Sequence, residues 1–208
     1  MDDNFELFIQ DRIGELDSIS TNRKQDLNIL AEIICSPLQN SARSNIIIIC
    51  THNSRRSQIA EFLLRLTAHH LKIDGIHVYS GGTEATALNY RIVSAFECFG
   101  FRFTVDDNLN NPGYIYITDI SPLKQTMFSK TYDHDVNPQK NFIAIMVCND
   151  ADKNCPIVVG ASDKLSLPYL DPKTADNTAM ESMTYNEKVE EIGREMLYLC
   201  LKVKEVLN

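Results

Sequence analysis

Residues 45–61 of the chain read NIIIICTHNSRRSQIAE. The aliphatic run after Asn45, with the cysteine that ends it, is typical of a strand buried on both faces of a parallel sheet. Apolar residues then recur at helical spacing, which predicts a helix over residues 54–71. These residues are Ile59, Phe62, Leu63 and Leu66. A strand, a short turn and a helix are therefore predicted in direct succession.

The same alternation continues to the end of the chain. Strands are predicted at 45–50, 76–80, 142–147 and 165–169, and helices at 54–71, 90–99 and 187–207. Strands that alternate with helices indicate an α/β fold with a doubly wound parallel sheet. We expect three layers and about four strands. The intervening stretch 101–141 is less regular, with a short strand predicted at 114–117, a helix at 122–130 and a polar loop at 132–140.

The first 36 residues have a different pattern from the rest of the chain. Apolar residues occur at helical spacing on both sides of a break at Ser20-Thr21-Asn22, which predicts two helices in an amphipathic hairpin. A polar linker is predicted from Ser36-Pro37 to Ser44. The expected organisation is an N-terminal helical extension, residues 1–44, followed by a catalytic domain, residues 45–208.

Composition excludes several classes of protein. The chain has 208 residues, 44% of them hydrophobic, and 20 basic against 28 acidic residues give a net charge of −8. This charge disfavours binding to nucleic acid or to an anionic membrane. The acidic start Met1-Asp2-Asp3 and the absence of a long apolar run predict a cytoplasmic protein. Six irregularly spaced cysteines do not suggest a disulfide scaffold, so some of them are candidate reactive thiols.

The turn after the first strand has the residues of an anion cradle. Cys50 ends the strand, and Arg56 and Ser57 begin the helix. The carboxyl end of a strand beside a helix N-terminus binds ligands, because the backbone N–H groups there lack helical partners. The helix dipole and the Arg56 guanidinium both favour the thiolate form of a cysteine at this place. Arg56 can bind a tetrahedral anion with two hydrogen bonds, and Ser57 can donate to the sulfur.

This stretch resembles the phosphate-binding loop of the low-molecular-weight protein tyrosine phosphatases and of the arsenate reductases that share their fold. The resemblance implies that Cys50 is the nucleophile, Arg56 the oxyanion clamp and Ser57 the stabiliser of the thiolate. The other residues of the loop would bind the substrate; they are Thr51, His52, Asn53, Ser54 and Arg55. The sequence departs from the common pattern at His52, where a glycine is frequent, and at Arg55, where a small residue or cysteine is frequent.

A candidate acid follows the last predicted strand. Asp171-Pro172 is by itself typical of a turn. A carboxyl group beside a bound anion can protonate a leaving oxygen as a general acid. The resemblance implies that role for Asp171. Lys173 and Thr174 follow where the tyrosine phosphatases usually have an aromatic residue, which argues against phosphotyrosine as the substrate.

Two further thiols belong to the same edge of the predicted sheet. Cys148 ends the strand 142–147, and Cys155 follows seven residues later, before Pro156. The segment resembles the redox loop of thioredoxin-coupled arsenate reductases, which implies that Cys148 and Cys155 form a disulfide during the reaction. If residues 148–155 were helical, their Cα atoms would be about 10 Å apart. That exceeds the roughly 7 Å limit for a disulfide, so the segment would have to unwind.

Arsenate reduction is therefore the expected function, with Cys50, Arg56, Asp171, Cys148 and Cys155 as catalytic residues. The expected partners are an arsenate- or phosphate-type oxyanion and thioredoxin or a low-molecular-weight thiol as electron donor. No metal or organic cofactor is expected. Two alternatives stay open at this stage. One is a phosphatase that hydrolyses phosphotyrosine through a phosphocysteine, and the other is a non-enzymatic sensor of oxyanions or redox state.

Overall fold

The computed structural model describes residues 3–106, 110–154 and 157–208. Six α-helices are found in this part of the chain: α1 (Asp3–Gly14), α2 (Thr21–Gln39), α3 (Arg56–His70), α4 (Tyr90–Cys98), α5 (Asn149–Asn154) and α6 (Glu181–Leu207). Seven strands accompany them: β1 (Ser44–Cys50), β2 (Ile76–Gly82), β3 (Phe103–Asp106), β4 (Gly113–Tyr116), β5 (Thr126–Met127), β6 (Phe142–Met146) and β7 (Ala161–Ser166).

The main sheet has four strands in the order β2-β1-β6-β7, and all of its pairings are parallel. Strand β1 lies in its middle, with Ile48 opposite Ser80 on one side and Ile145 on the other. Its aliphatic residues are buried, as a strand covered on both faces requires. Helices flank the sheet, so the predicted α/β fold with about four parallel strands is confirmed.

The two N-terminal helices are present and share the core of the sheet. Ser20 caps α2 by accepting a hydrogen bond from the backbone N–H of Arg23, which places Arg23 in the first turn. Leu27, Leu30 and Ile34 of α2 are buried in the same hydrophobic cluster as β1. Helices α1 and α2 both contact the long helix α6. The division of the chain near residue 44 stays a prediction.

The predicted linker was placed too early. Helix α2 continues through Ser36 and Pro37 to Gln39. A proline removes one helical N–H donor and crowds the preceding turn, so it usually ends a helix. Here Pro37 lies in the last turn, and its carbonyl oxygen accepts from the N–H groups of Asn40 and Ala42 as the helix closes.

The helix predicted at 122–130 is wrong. Residues 121–123 form a single 3₁₀ turn, and Thr126 and Met127 form β5, which pairs with β4. Leu123 and Met127 are both buried and stand four residues apart, which imitates a helical pattern. Strand pairing with β4 determines the conformation instead.

The resulting antiparallel sheet, in the order β3-β4-β5, packs on the main body through aromatic rings. Phe62 of α3 lies 5.4 Å from the ring centroid of Phe103 and 5.3 Å from that of Tyr116. These contacts hold β3 and β4 against the helix that follows the candidate oxyanion loop.

Two boundaries near the C-terminus also differ from those predicted. The last strand spans 161–166, ahead of the predicted 165–169. Residues 167–171 leave it as an extended segment in which Leu167 donates to Met146 O and Tyr169 to Val147 O. Helix α6 begins at Glu181, before the predicted start at residue 187. The prediction missed its first turns because they are largely polar and carry little apolar periodicity. None of the helices in the described ranges is long and apolar enough to cross a membrane.

Candidate active site

The oxyanion loop, residues 50–57, joins the end of β1 to the start of α3. Within the described part of the chain, the backbone N–H groups of residues 51–55 have no hydrogen-bond acceptor. Carbonyl oxygens of the loop are engaged: Cys50 O and Thr51 O accept from the N–H groups of Thr83 and Glu84. The loop is therefore held through its carbonyl groups, while its N–H donors are left for a ligand.

A chain of hydrogen bonds leads from Asn53 to the sulfur of Cys50. Asn53 has a positive φ of 47° and is buried. Its Oδ1 accepts from the backbone N–H of Lys130 at 3.0 Å, which identifies the other amide atom as the donor. Asn53 Nδ2 donates to Ser57 Oγ at 2.9 Å, and Ser57 Oγ lies 3.1 Å from Cys50 Sγ. Because Ser57 already accepts from Asn53, its own hydrogen is available to the sulfur of Cys50.

Arg56 lies at the first position of α3 and is directed toward the segment 167–171. Its Nη1 donates to Tyr169 O at 3.0 Å, and its Nη2 pairs with Asp171 Oδ2 at 2.7 Å. Its Nε is buried and has no hydrogen-bond partner among the described residues. A buried N–H donor without an acceptor lowers the stability of the fold. The guanidinium of Arg56 therefore has capacity for one more hydrogen-bond acceptor, such as a ligand oxygen.

Asp171 is brought to the loop as expected. Its Oδ2 contacts Arg56, and its Oδ1 accepts from the backbone N–H of Lys173, so it caps the 3₁₀ turn Pro172–Ala175. The carboxylate side chain is 32% exposed, which leaves it accessible at the edge of the loop. The structure thus brings Asp171, which is distant in the sequence, to the loop that contains Cys50 and Arg56.

The remaining side chains of the loop form hydrogen bonds or ion pairs with other residues of the same chain. Any contact that these residues make to a substrate would therefore come chiefly from their backbone. Ser54 Oγ donates to Ala87 O at 2.6 Å, and His52 Nε2 lies 3.1 Å from Glu84 Oε1. Arg55 is directed away from the loop. Its Nη2 pairs with Asp176 Oδ2 at 2.9 Å, and its Nε donates to the Tyr185 hydroxyl near the start of α6. The arginine that departs from the common pattern therefore anchors the loop to α6.

Cys148 lies beside the loop, one strand away from Cys50. Its thiol is fully buried, and Sγ stands 3.5 Å from Oγ1 of Thr51. The backbone N–H of Ala151, in the first turn of α5, also points at this sulfur, at 3.4 Å. The predicted residue Cys155 lies outside the described residues. The described helix α5 ends at Asn154, so residues 149–154 are helical. The condition that a helical segment would have to unwind to form a disulfide therefore applies to them.

Several residues that support this site could not be recognised from the sequence. Asn53 was predicted only as a substrate-binding residue, although an asparagine in a loop is a signal for a positive φ. Gly82 passes so close to the loop that a Cβ there would lie 2.6 Å from Thr51 O. Tyr169 and Glu195 form a buried pair behind the segment 167–171, with Tyr169 Oη donating to Glu195 Oε2 at 2.6 Å. Burial raises the pKa of both Tyr169 and Glu195.

In the ranges 3–106, 110–154 and 157–208, no three side chains of histidine, cysteine, aspartate or glutamate are grouped as metal ligands would be.

The family model of low-molecular-weight phosphotyrosine protein phosphatase matches residues 45–97, from β1 to α4. An arsenate reductase from Bacillus licheniformis is 31% identical over 153 residues, which cover 73% of this chain and 91% of that protein. Arsenate reductase 2 from Staphylococcus epidermidis is 31% identical over 130 residues, 62% of this chain and 79% of that protein.

The chain belongs to the low-molecular-weight phosphotyrosine phosphatase superfamily and to its arsenate reductase branch. The fold agrees with this assignment. The crystal structure of a low-molecular-weight phosphotyrosine phosphatase from Vibrio cholerae superposes with a TM-score of 0.51 at 14% identity, covering 78% of this chain and 98% of that one. This family member carries helices α1 and α2 ahead of the stretch that the family model matches.

Proposed function

We propose that this family member reduces arsenate to arsenite, with Cys50 as the nucleophile and Cys148 and Cys155 as the thiols that remove the oxidising equivalents. One observation carries the proposal beyond the shared cradle: the Cys148 thiol is buried 3.5 Å from Thr51 Oγ1, at the wall of the oxyanion loop. Hydrolysis of a phosphate ester has no use for a second thiol there, whereas reduction requires one.

The oxyanion would bind against the overall charge of the protein. The chain carries a net charge of −8, so long-range attraction does not favour an anion. Local donors supply the binding instead: the N–H groups of residues 51–55 and the unpartnered Nε of Arg56. Both lie at the N-terminal end of α3, where the helix dipole adds to their effect.

The first chemical step forms a bond between Cys50 Sγ and arsenic. The thiolate attacks arsenate, and one arsenic-bound hydroxyl accepts a proton from Asp171 and leaves as water. Arg56, which pairs with Asp171 at 2.7 Å, would then bind the arsenate oxygens.

The second step reduces arsenic. The Cys148 thiolate attacks Cys50 Sγ, a Cys50–Cys148 disulfide forms, and the electron pair of the sulfur–arsenic bond passes to arsenic, which leaves as arsenite. Cys155 then attacks Cys148, which releases the Cys50 thiolate and leaves a Cys148–Cys155 disulfide. Thioredoxin or a low-molecular-weight thiol returns two electrons and restores both thiols. A reducing compartment such as the cytoplasm would supply that donor.

Replacement of Cys148 by serine tests the assignment. Cys148→Ser should abolish arsenate turnover with thioredoxin, thioredoxin reductase and NADPH, because Cys50 can no longer be released from its arsenic adduct. Cys98→Ser is the matched control, since Cys98 is exposed at the end of α4, away from the loop. Arsenite formation and NADPH consumption are measured together. Undiminished turnover by Cys148→Ser would refute the relay.

The same variants distinguish the rival functions. A phosphatase would hydrolyse an aryl phosphate such as p-nitrophenyl phosphate at the same rate with and without Cys148, and wild-type protein would not reduce arsenate. A non-enzymatic sensor would do neither, and its cellular role would survive Cys50→Ser.

A further inference from the structure

A buried ionic network connects the first turn of α2 to the segment that carries Asp171. Arg23 Nε pairs with Glu195 Oε2 of α6 at 2.9 Å, and Arg23 Nη2 donates to Pro168 O at 3.2 Å. Tyr169 Oη donates to the same Glu195 oxygen at 2.6 Å. The Arg23 guanidinium also lies over the Tyr169 ring, 4.6 Å from its centroid. Arg23 therefore contacts two successive residues of the segment and the carboxylate that holds one of them.

The same segment is bound to the candidate active site on its other side. Tyr169 donates its backbone N–H to Val147 O, next to Cys148, and its carbonyl oxygen accepts from Arg56 Nη1 at 3.0 Å. Asp171, two residues further on, pairs with Arg56 Nη2. Leu170, between them, is 84% exposed and contributes little packing of its own. The position of Asp171 thus depends mainly on how Tyr169 is held.

The network is suited to holding one geometry. Tyr169 and Glu195 are 4% and 5% exposed, so water competes little for their hydrogen bond. A buried carboxylate needs a cationic partner, and Arg23 supplies it with a planar fork that reaches both Glu195 and Pro168 O. If Arg23 is removed, Glu195 is left unpaired, and Tyr169 loses the cation on its ring.

We propose that α2, through Arg23, positions the general acid: the Arg23–Glu195–Tyr169 network holds residues 168–171 so that Asp171 meets Arg56 and the bound oxyanion. Arg23, Glu195 and Tyr169 are positioning residues and do not touch the substrate. The proposal rests on the proposed function, in which Asp171 protonates the leaving oxygen. It gives the N-terminal helices a part in the reaction, beyond their part in the core.

A double-mutant cycle with Asp171 tests this inference. Tyr169→Phe keeps the ring and removes the hydroxyl, and Arg23→Met keeps most of the side-chain volume and removes the charge. Each should lower kcat for arsenate reduction about tenfold, since a small displacement of a catalytic group costs up to about a hundredfold, and the KM for arsenate should change less than about threefold. In an Asp171→Asn background the same two changes should alter kcat less than about twofold, because the acid that they position is already absent.

Lys24→Met is the matched control for α2. Lys24 is the next residue of the helix, and it contacts Asp17 and the Tyr198 ring without reaching the segment 168–171. It should leave kcat unchanged. Arg23→Met could fail to fold, because Glu195 is then left buried and charged. In that case the double variant Arg23→Met with Glu195→Gln replaces Arg23→Met in the cycle, since it removes both charges.

The outcomes separate this inference from the proposed function. Equal losses in the wild-type and Asp171→Asn backgrounds, or no loss in the wild type, would overturn the positioning role alone. An Asp171→Asn protein with undiminished kcat would overturn the acid assignment, and the positioning role with it. Protection of Cys50 by arsenate against alkylation reports on the oxyanion loop independently of both.

Discussion

At the scale of single residues, Gly82 determines whether the oxyanion loop can close. A Cβ at this position would lie 2.6 Å from Thr51 O and 2.9 Å from Asn53 N, closer than real contacts allow. Both atoms are backbone, so the loop itself would have to move. Gly82→Ala should therefore destabilise the protein by about 1–3 kcal/mol and abolish the protection of Cys50 by arsenate.

Urea unfolding and alkylation by iodoacetamide, with and without arsenate, measure the two effects. Gly14→Ala at the end of α1 is the control, because nothing lies within 4 Å of a Cβ there. It should preserve the protection of Cys50. Full protection of Cys50 in Gly82→Ala would show that the loop tolerates the displacement.

Also at this scale, the hydrogen bond from Ser57 to Cys50 predicts how reactive the thiol is. A hydrogen bond to a charged group contributes about 1.5–3 kcal/mol. Ser57→Ala should therefore slow alkylation of Cys50 near pH 7 by about tenfold or more. Exposed Cys98 provides an internal reference, and its rate should not change.

Burial raises the pKa of the Cys35 and Cys200 thiols, so these two should stay unmodified on the same timescale. Mass spectrometry of the digested protein assigns each site. An unchanged Cys50 rate in Ser57→Ala would mean that the loop N–H groups and Arg56 suffice to activate the sulfur.

At the scale of an element, α5 lies between Cys148 and Cys155 in the sequence, and we expect it to unwind before the two thiols of the proposed relay bond. The helix is fastened to β7 by Asp152, which pairs with Lys164 at 2.8 Å, and the side chain of Ala151 is buried. The hydrogen bond from Lys164 lowers the pKa of Asp152. The stabilisation of α5 by the Asp152–Lys164 pair is therefore complete at pH values above the ordinary pKa of aspartate, about 3.9. It is lost as the pH falls through the lowered pKa of Asp152 in the folded state.

Lys164→Met should speed the formation of the Cys148–Cys155 disulfide about two- to fivefold near pH 7, because an exposed ion pair contributes up to about 1 kcal/mol. Thiol counting after a timed quench measures the rate. The protection of the backbone amides of residues 149–154 against hydrogen exchange should also fall in Lys164→Met. In the wild type, the same protection should fall toward the level of the variant as the pH is lowered. Lys202→Met, which breaks the Lys202–Glu205 pair on α6, is the control and should change neither quantity. Equal disulfide rates in wild type and Lys164→Met would assign the barrier to Ala151.

At the scale of the whole molecule, the strands and helices of the main sheet were predictable because their patterns are local. Strand β1 is aliphatic throughout and α3 has a regular apolar face, so both follow from neighbouring residues. The spacing of Cys50, Arg56 and Ser57 is also local, which is why the sequence alone could propose these residues as the centre of the site. Local patterns failed at 122–130, where pairing with β4 overrides a helical spacing.

The support of the site could not be predicted, because it joins residues distant in sequence. Arg23 and Glu195 are separated by 172 positions, and Arg55 and Asp176 by 121. Each of these residues, read alone, is an ordinary charged residue on a helix or a turn. Only the folded chain shows that α2 and α6 meet behind the segment 167–171.

The buried face of α2 also predicts how the whole chain unfolds. Leu30 is 1% exposed within the common core, whereas its neighbour Ile29 is 52% exposed. Leu30→Ala should therefore lower the free energy of unfolding by about 2–5 kcal/mol, and Ile29→Ala by less than about 0.5 kcal/mol. The loss should appear in one cooperative transition, seen alike by circular dichroism and by arsenate protection of Cys50, because α2 and β1 belong to one hydrophobic cluster. Two separate transitions, with Leu30→Ala shifting only the first, would instead show that residues 1–44 form an extension that unfolds independently of the catalytic domain.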